Sequence, residues 1–222
     1  RSSFGMHAML AKHFFEGAYY PVGGAESFAR CFLETVRRHG GETYVRAVVT
    51  GITFDGGRAT GVELEDGRRI EATRVVSAIG ARNTLRLLPA PCRDTDWARS
   101  IDGVTTSPAY LCLNLGFEGD LRAAGASETN RWLMESWDVE NATWDLADPD
   151  SVPPIAYVSF PSMKDPALAG EGAVRHTGEA LAFVRWDAFE RWKDTRWGRR
   201  GDAYDAFKAD VEERLVAHLR RR

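Results

Sequence analysis

The apolar residues change their period at Gly40-Gly41, and that change limits what the chain can fold into. Upstream, Phe28, Phe32, Leu33 and Val36 recur at spacings of 4, 1 and 3, which puts them on one face of a helix over Ala25–Arg38. Arg37, Arg38 and His39 fall in the last turn, and Gly40-Gly41 supplies the left-handed cap that ends it. Downstream the period is 2. Val45, Val49, Ile52 and Phe54 lead into Asp55-Gly56-Gly57, and Ala59, Val62 and Leu64 lead into Asp66-Gly67. Glycine turns between short β-branched runs predict hairpins, so 42–79 reads as an antiparallel meander. Its last run, Val75–Ile79, reads as an apolar, buried strand. Ala81–Leu88 is helical by pattern and stops at Pro89.

The region beyond is less regular. Ala109–Phe117, Ile155–Phe160 and Glu179–Trp186 read as strands, with a further short one at Trp132–Glu135. Asp202–Arg222 reads as a helix, because Tyr204, Phe207, Val211, Leu215 and Leu219 share one stripe. Helices and hairpins in one chain give an α+β (α/β) fold. Composition breaks near residue 90: up to that point there are 12 basic and 9 acidic residues, beyond it 17 and 23, and all seven Trp lie beyond it. Two parts are therefore expected, 1–90 and 91–222, the second a mixed sheet flanked by helices.

Several function classes drop out. A net charge of −3 is not that of a phosphate-seeking surface, so no nucleic-acid partner is expected. No apolar run approaches the roughly 20 residues that span a bilayer. Cys31, Cys92 and Cys112 are odd in number and widely spaced, which predicts reduced thiols in a cytosolic-type compartment. The histidines, His7, His13, His39, His176 and His218, have no metal-ligand spacing with any Cys, Asp or Glu, so no metal is expected. Gly170-Glu171-Gly172-Ala173-Val174-Arg175 imitates half of a dinucleotide fingerprint but lacks its strand, third glycine and helix, and reads as a loop. The carboxylates Asp187 and Glu190 lie on an Arg-rich surface, where solvation explains them better than acid–base work.

Resemblance carries the reading further. Gly17-Ala18-Tyr19-Tyr20-Pro21-Val22-Gly23-Gly24 precedes a helix. Gly40-Gly41, Val49-x-x-Ile52, Gly61-Val62-x-Leu64-x-Asp66-Gly67 and Val75-Val76-Ser77-Ala78 follow in order. Later come Ser159-Phe160-Pro161-Ser162-x-Lys164-Asp165-Pro166, Phe189-x-x-Trp192-Lys193, Arg200-Gly201-Asp202-x-Tyr204 and Lys208. This ordered set is similar to the phytoene desaturase, carotenoid isomerase and retinol saturase group of FAD-dependent oxidoreductases, relatives of the amine oxidases. It covers about residues 4–220.

The resemblance implies a middle portion of such an enzyme. Residues 1–90 would be the last part of an FAD-binding domain, a helix plus β-meander, and 91–222 a truncated substrate-binding domain. The strand–Gly-x-Gly-x-x-Gly–helix unit that holds the cofactor pyrophosphate in this family is not among these residues. FAD is thus expected in the intact protein and not retained by this chain. Implied cofactor contacts are Pro21, Gly23 and Gly24 beside the flavin, the Val49 backbone at the adenine edge, and Ser77 and Ala78 near the ribose–phosphate side; no catalytic residue is assigned. The implied substrate is an apolar isoprenoid or polyene, reached from the cytoplasm or through peripheral membrane contact. The alternatives are an amine-oxidase-like flavoprotein and a cofactor-free interaction module.

Overall fold

The computed structural model describes residues 4–104, 108–138, 140, 142–168 and 175–222. In chain order its elements begin with α1 (Phe4–Lys12), α2 (Glu26–Arg38), β1 (Val49–Asp55), β2 (Arg58–Leu64) and β3 (Arg69–Glu71). Three short helices follow, α3 (Ala81–Leu87), α4 (Ala90–Arg93) and α5 (Asp96–Asp102). Then come β4 (Ala109–Glu118), β5 (Arg131–Met134), β6 (Thr143–Trp144), β7 (Ile155–Ser159), α6 (Pro161–Lys164), β8 (Arg175–Val184) and α7 (Asp202–Arg220). Tight 3-10 turns run over His13–Glu16 and Trp186–Trp192. The loop expected at Gly170–Val174 lies outside the described residues.

Contacts divide the chain into two units, Leu33–Ser107 and the remainder, in which the residues up to Phe32 join those from Pro108 onward. The compositional break at residue 90 is therefore not where the units part. The reason is local: α3 packs on β1 and α5, and α4 on α5, so the chain passes residue 90 without leaving the first unit.

In the unit 33–107 the meander forms as the turn signals predict, with antiparallel order β1-β2-β3 and Ile52 opposite Val62. The end of α2 closes as a Schellman cap. The Gly40 N–H donates to the Arg37 carbonyl at 3.0 Å and the Gly41 N–H to the Val36 carbonyl at 2.9 Å. The apolar stripe of α2 is not buried, however: Phe32 is 68% exposed. The expected buried strand Val75–Ile79 also needs correction. It belongs to no sheet and Val76 is 93% exposed. A run buried on both faces needs neighbouring strands and cover on each side, and no described strand of this chain lies alongside to pair with it.

The larger unit is built on a five-stranded sheet of order β4-β8-β7-β5, with β6 added in parallel to β8. The expected mixed sheet is thus present, although the two-residue parallel pairing of β6 with β8 is its only departure from antiparallel pairing among the described strands. Side chains alternate between two faces, as strand geometry requires. On one face Ala182 and Val184 of β8 meet Trp144 and Leu146, and α7 covers them with Val211 and Leu215, while Ala180 on the same face is also fully buried. The stripe expected on α7 is the one used, with Phe207 and Leu219 at its margin. On the other face, Cys112, Leu181, Tyr157 and Trp132 stand opposite one another across β4, β8, β7 and β5.

Trp144 ties these layers together. It is 1% exposed. Its indole N–H reaches the Ser151 carbonyl at 3.1 Å and the Ser151 Oγ at 3.0 Å. The Arg214 guanidinium of α7 stacks 5.0 Å from its ring and donates to the Asp148 and Ser151 carbonyls. Asp187 and Glu190 make solvated ion pairs with Arg185 and Lys193.

Two measurements check this packing. Trp144→Ala removes a fully buried ring and its hydrogen bonds, and should lower unfolding stability by about 3–5 kcal/mol in a urea titration. His218 on α7 is 2% exposed, and burial depresses its pKa, against an opposing pull from Glu135 3.6 Å away. The unfolded chain, with its histidine near 6.5, therefore takes up the proton first as pH falls. The contribution is complete above that value and is lost below it. His218→Leu should flatten the decline of the thermal midpoint between about pH 7 and 5.

Candidate functional site

In the unit 33–107 the chain after β3 turns back over the sheet. Ser77 Oγ and Thr84 Oγ1 lie 2.6 Å apart, and the Asn83 amide donates to the Ile79 carbonyl at 2.9 Å. Side chains from the first turn of α3 thus hold a segment that no strand pairs. Between this segment and the sheet is a concavity of about 480 Å³. Val49, Ile52 and Val62 form its apolar wall, Ser77 and Ala78 face it from the returning segment, and Arg86 stands at its margin. Three of the residues singled out from sequence, Val49, Ser77 and Ala78, are thereby brought together. Strand β1 is an edge of its sheet, so backbone groups along its outer side have no strand partner among the described residues, as an edge-on ligand contact requires.

In the other unit, Pro21 opens a four-residue turn that the Gly24 N–H closes on the Pro21 carbonyl at 3.0 Å. Gly23 and Gly24 have φ of 83° and 72°, a left-handed region that costs a residue bearing Cβ about 1–2 kcal/mol. The glycine pair is therefore required by the backbone itself, whatever it faces. Ser27 Oγ donates to the Gly24 carbonyl at 2.7 Å as α2 begins. The turn is also anchored from far along the chain: the Gly23 N–H donates to Asp165 Oδ1 at 3.0 Å. Asp165 is 4% exposed and also accepts from the Ala167 N–H at 3.0 Å.

Lys164 completes this cluster. Its ammonium donates to Ser159 Oγ at 2.7 Å and to Asn130 Oδ1, and lies 6.0 Å from the centre of the Tyr20 ring. Partial burial lowers its pKa below the usual ammonium range, while the nearby Glu179 carboxylate opposes that shift. Cys112, across the sheet from Leu181, has its thiol pushed up by burial and then by the same Glu179. The sequence placed Lys164 and Asp165 in a motif but gave neither a role. Nothing local in Ser159–Pro166 indicates that it meets the Tyr20–Gly24 turn; the order of motifs was the only available signal.

Among the described residues no three His, Cys, Asp or Glu side chains are placed to hold a metal ion, and no helix is long and apolar enough to cross a membrane. Comparison with known proteins agrees with the ordered motifs. All-trans-retinol 13,14-reductase of Rattus norvegicus is 28% identical over 96% of this chain and 37% of its own length. The chloroplastic prolycopene isomerase of Arabidopsis thaliana is 25% identical over 96% of this chain and 33% of its own. The chain thus spans little more than a third of the curated relatives it matches. The crystal structure of the PF1083 protein from Pyrococcus furiosus shares the fold, with a TM-score of 0.51 and 18% identity over 86% of this chain and 39% of that one. The sequence pattern of flavin-containing amine oxidoreductases matches residues 3–221, and the chain belongs to that family.

Proposed function

We propose that this chain is part of an FAD-dependent oxidoreductase that acts on carbon–carbon double bonds of an apolar isoprenoid or polyene. One observation carries the reading: relatives matched over 96% of the chain are named for reducing all-trans-retinol and for isomerising prolycopene. Both names refer to polyenes, which favours this substrate class over an amine. Within the proposal, the concavity in 33–107 and, in the other unit, the turn at Pro21–Gly24 are each read by themselves as cofactor contacts, and the five-stranded sheet as serving the substrate.

The residues present fit parts of FAD. The concavity beside Val49 has an apolar wall for a flat ring, a strand edge with backbone groups to offer, and a polar margin at Ser77 and Arg86. At Gly24, a Cβ would find only the Tyr20 hydroxyl, at 3.6 Å, so the turn presents bare backbone to whatever lies above it. The isoalloxazine supplies two-electron hydride chemistry when bound. The protein's part is to bind, orient and exclude water. Asp165 fixes the Gly23 N–H, and with it the height of the turn, from a buried position on the sheet side.

Two predictions test the reading. Protein expressed from the whole reading frame should carry flavin absorbance through gel filtration, and the 222 residues alone should be colourless. Most pyrophosphate affinity in dinucleotide-binding folds comes from a glycine-rich turn and the helix after it. Neutral hydrogen bonds net only about 0.5–1.5 kcal/mol each, against an association cost of roughly 4–15 kcal/mol. A colourless full-length protein would defeat the proposal. In that protein Gly24→Val should lower flavin content, because a branched Cβ is strained at φ 72°. Arg58→Ala, beside the Gly56-Gly57 turn, should leave it unchanged. Equal flavin content in the two variants would remove the turn from the cofactor site.

A further inference from the structure

Arg200-Gly201-Asp202-x-Tyr204 and Lys208 belong neither to the Pro21–Gly24 turn nor to the concavity beside Val49. Most of that motif nevertheless lines one cavity of about 470 Å³ in the larger unit, walled by Arg199, Arg200, Tyr204, Asp205, Lys208 and the exposed Trp197. Trp197 and Gly198 form the tip of a tight turn. Arg196 and Arg199 bridge its two sides, and the Arg199 N–H donates to the Arg196 carbonyl at 3.0 Å. Tyr204 packs edge-on against the buried Trp192, ring centres 5.2 Å apart, and the Arg200 guanidinium stacks 4.8 Å from the Tyr204 ring centre. Stacking leaves the N–H edge of a guanidinium for another partner. This chain supplies none for part of it: Arg200 Nε is buried and has no hydrogen-bond partner. Cations nearby in sequence are paired, Arg185 with Asp187, Lys193 with Glu190 and Arg214 with Asp210. Arg199, Arg200 and Lys208 have no such carboxylate among the described residues, and Asp205 pairs with none of them. Three cations less one carboxylate leave the cavity lining with a charge of +2.

We propose that this cavity binds the phosphate group of an organic phosphate, either a small soluble ester or a lipid headgroup. A phosphomonoester carries a charge of about −1.5 to −2 near pH 7 and offers three strong acceptor oxygens. Arg200 presents a planar fork of donors to two of those oxygens, and Lys208 and Arg199 add charge from separate directions. A carboxylate brings one charge and two oxygens, so it leaves one cation of the surplus unmatched. The exposed ring of Trp197 gives apolar surface to the carbon portion next to the phosphate. None of these residues is among those read as cofactor contacts, so the site is a second one.

The test uses protein expressed from the whole reading frame. Equilibrium dialysis compares glycerol 3-phosphate with glycerate, and flotation compares phosphatidylcholine vesicles with and without phosphatidic acid. The phosphate ester should bind about ten-fold tighter than the carboxylate, the value of one charge-assisted hydrogen bond. Lys208 is exposed, so Lys208→Gln should leave the thermal midpoint and flavin absorbance unchanged while phosphate affinity falls about ten-fold. Arg200→Gln should weaken binding likewise, and Arg200→Lys, which keeps the charge and loses the fork, should restore only part of it. Asp205→Asn removes the opposing charge and should raise affinity several-fold, a gain that impaired folding does not produce. Binding of glycerol 3-phosphate supports a soluble ligand; flotation only with phosphatidic acid supports a headgroup. Either counts for the site when Lys208→Gln weakens it and Asp205→Asn strengthens it. Binding of neither probe, equal affinity for phosphate and carboxylate, or affinity unmoved by Lys208→Gln would overturn the proposal. Loss of flavin in Lys208→Gln would overturn it too, by giving the cluster to the cofactor.

Discussion

The larger unit depends on the strict alternation of strand β8. Its neighbours on both sides, and the short parallel strand β6, all bond to this one strand. Ala180, Ala182 and Val184 point to one face and are fully enclosed; Glu179, Leu181 and Phe183 point to the other. Small alanines at the centre let Trp144 and the α7 stripe approach closely, and the large residues are displaced to the open face. A slip of one residue in this strand would exchange the two sets. It would bury Glu179 under α7 and leave the alanine row exposed.

That alternation also explains how structure and chemistry share one sheet. The α7 face is closed by Val211, Leu215 and the Trp144–Arg214 stack. The opposite face carries polar groups, among them Ser159 opposite Glu179, and Lys164 of α6 bonds to that Ser159. Lys164 and Asp165 follow β7 through the single turn of α6, so the strand that bears Ser159 also leads to the anchor for the Pro21–Gly24 turn. A site supported in this way needs few residues of its own, because the sheet fixes their spacing.

Much of the architecture was legible in the chain. The helix over 26–38, its Schellman end at Gly40-Gly41, the two Asp-Gly turns and the stripe on α7 are local patterns, and each forms where the pattern requires. The failures share one cause. Val75–Ile79 has the composition of a buried strand and Phe28, Phe32 and Val36 have the spacing of a buried helix face, but burial is a property of what lies opposite. Neither segment finds that cover among the described residues. Charge and Trp content change near residue 90, but the packing of α3 on β1 and α5 continues across it, so the contact units divide elsewhere.

The candidate site divides along the same line. Sequence determined the turn at Pro21–Gly24, because two consecutive left-handed residues demand glycine, and it determined the alternating runs that become β1 and β2. Ordered motifs then brought Val49, Ser77 and Ala78 to notice. Only the tertiary structure placed those three around one concavity. Only it tied the Gly23 N–H to Asp165, 142 residues away, and set Lys164 against Tyr20, Ser159 and Asn130. Local patterns follow from backbone sterics within a few residues, which the sequence states directly. Which distant side chains meet is decided by strand order and register, and these emerge only when the whole sheet has been assembled.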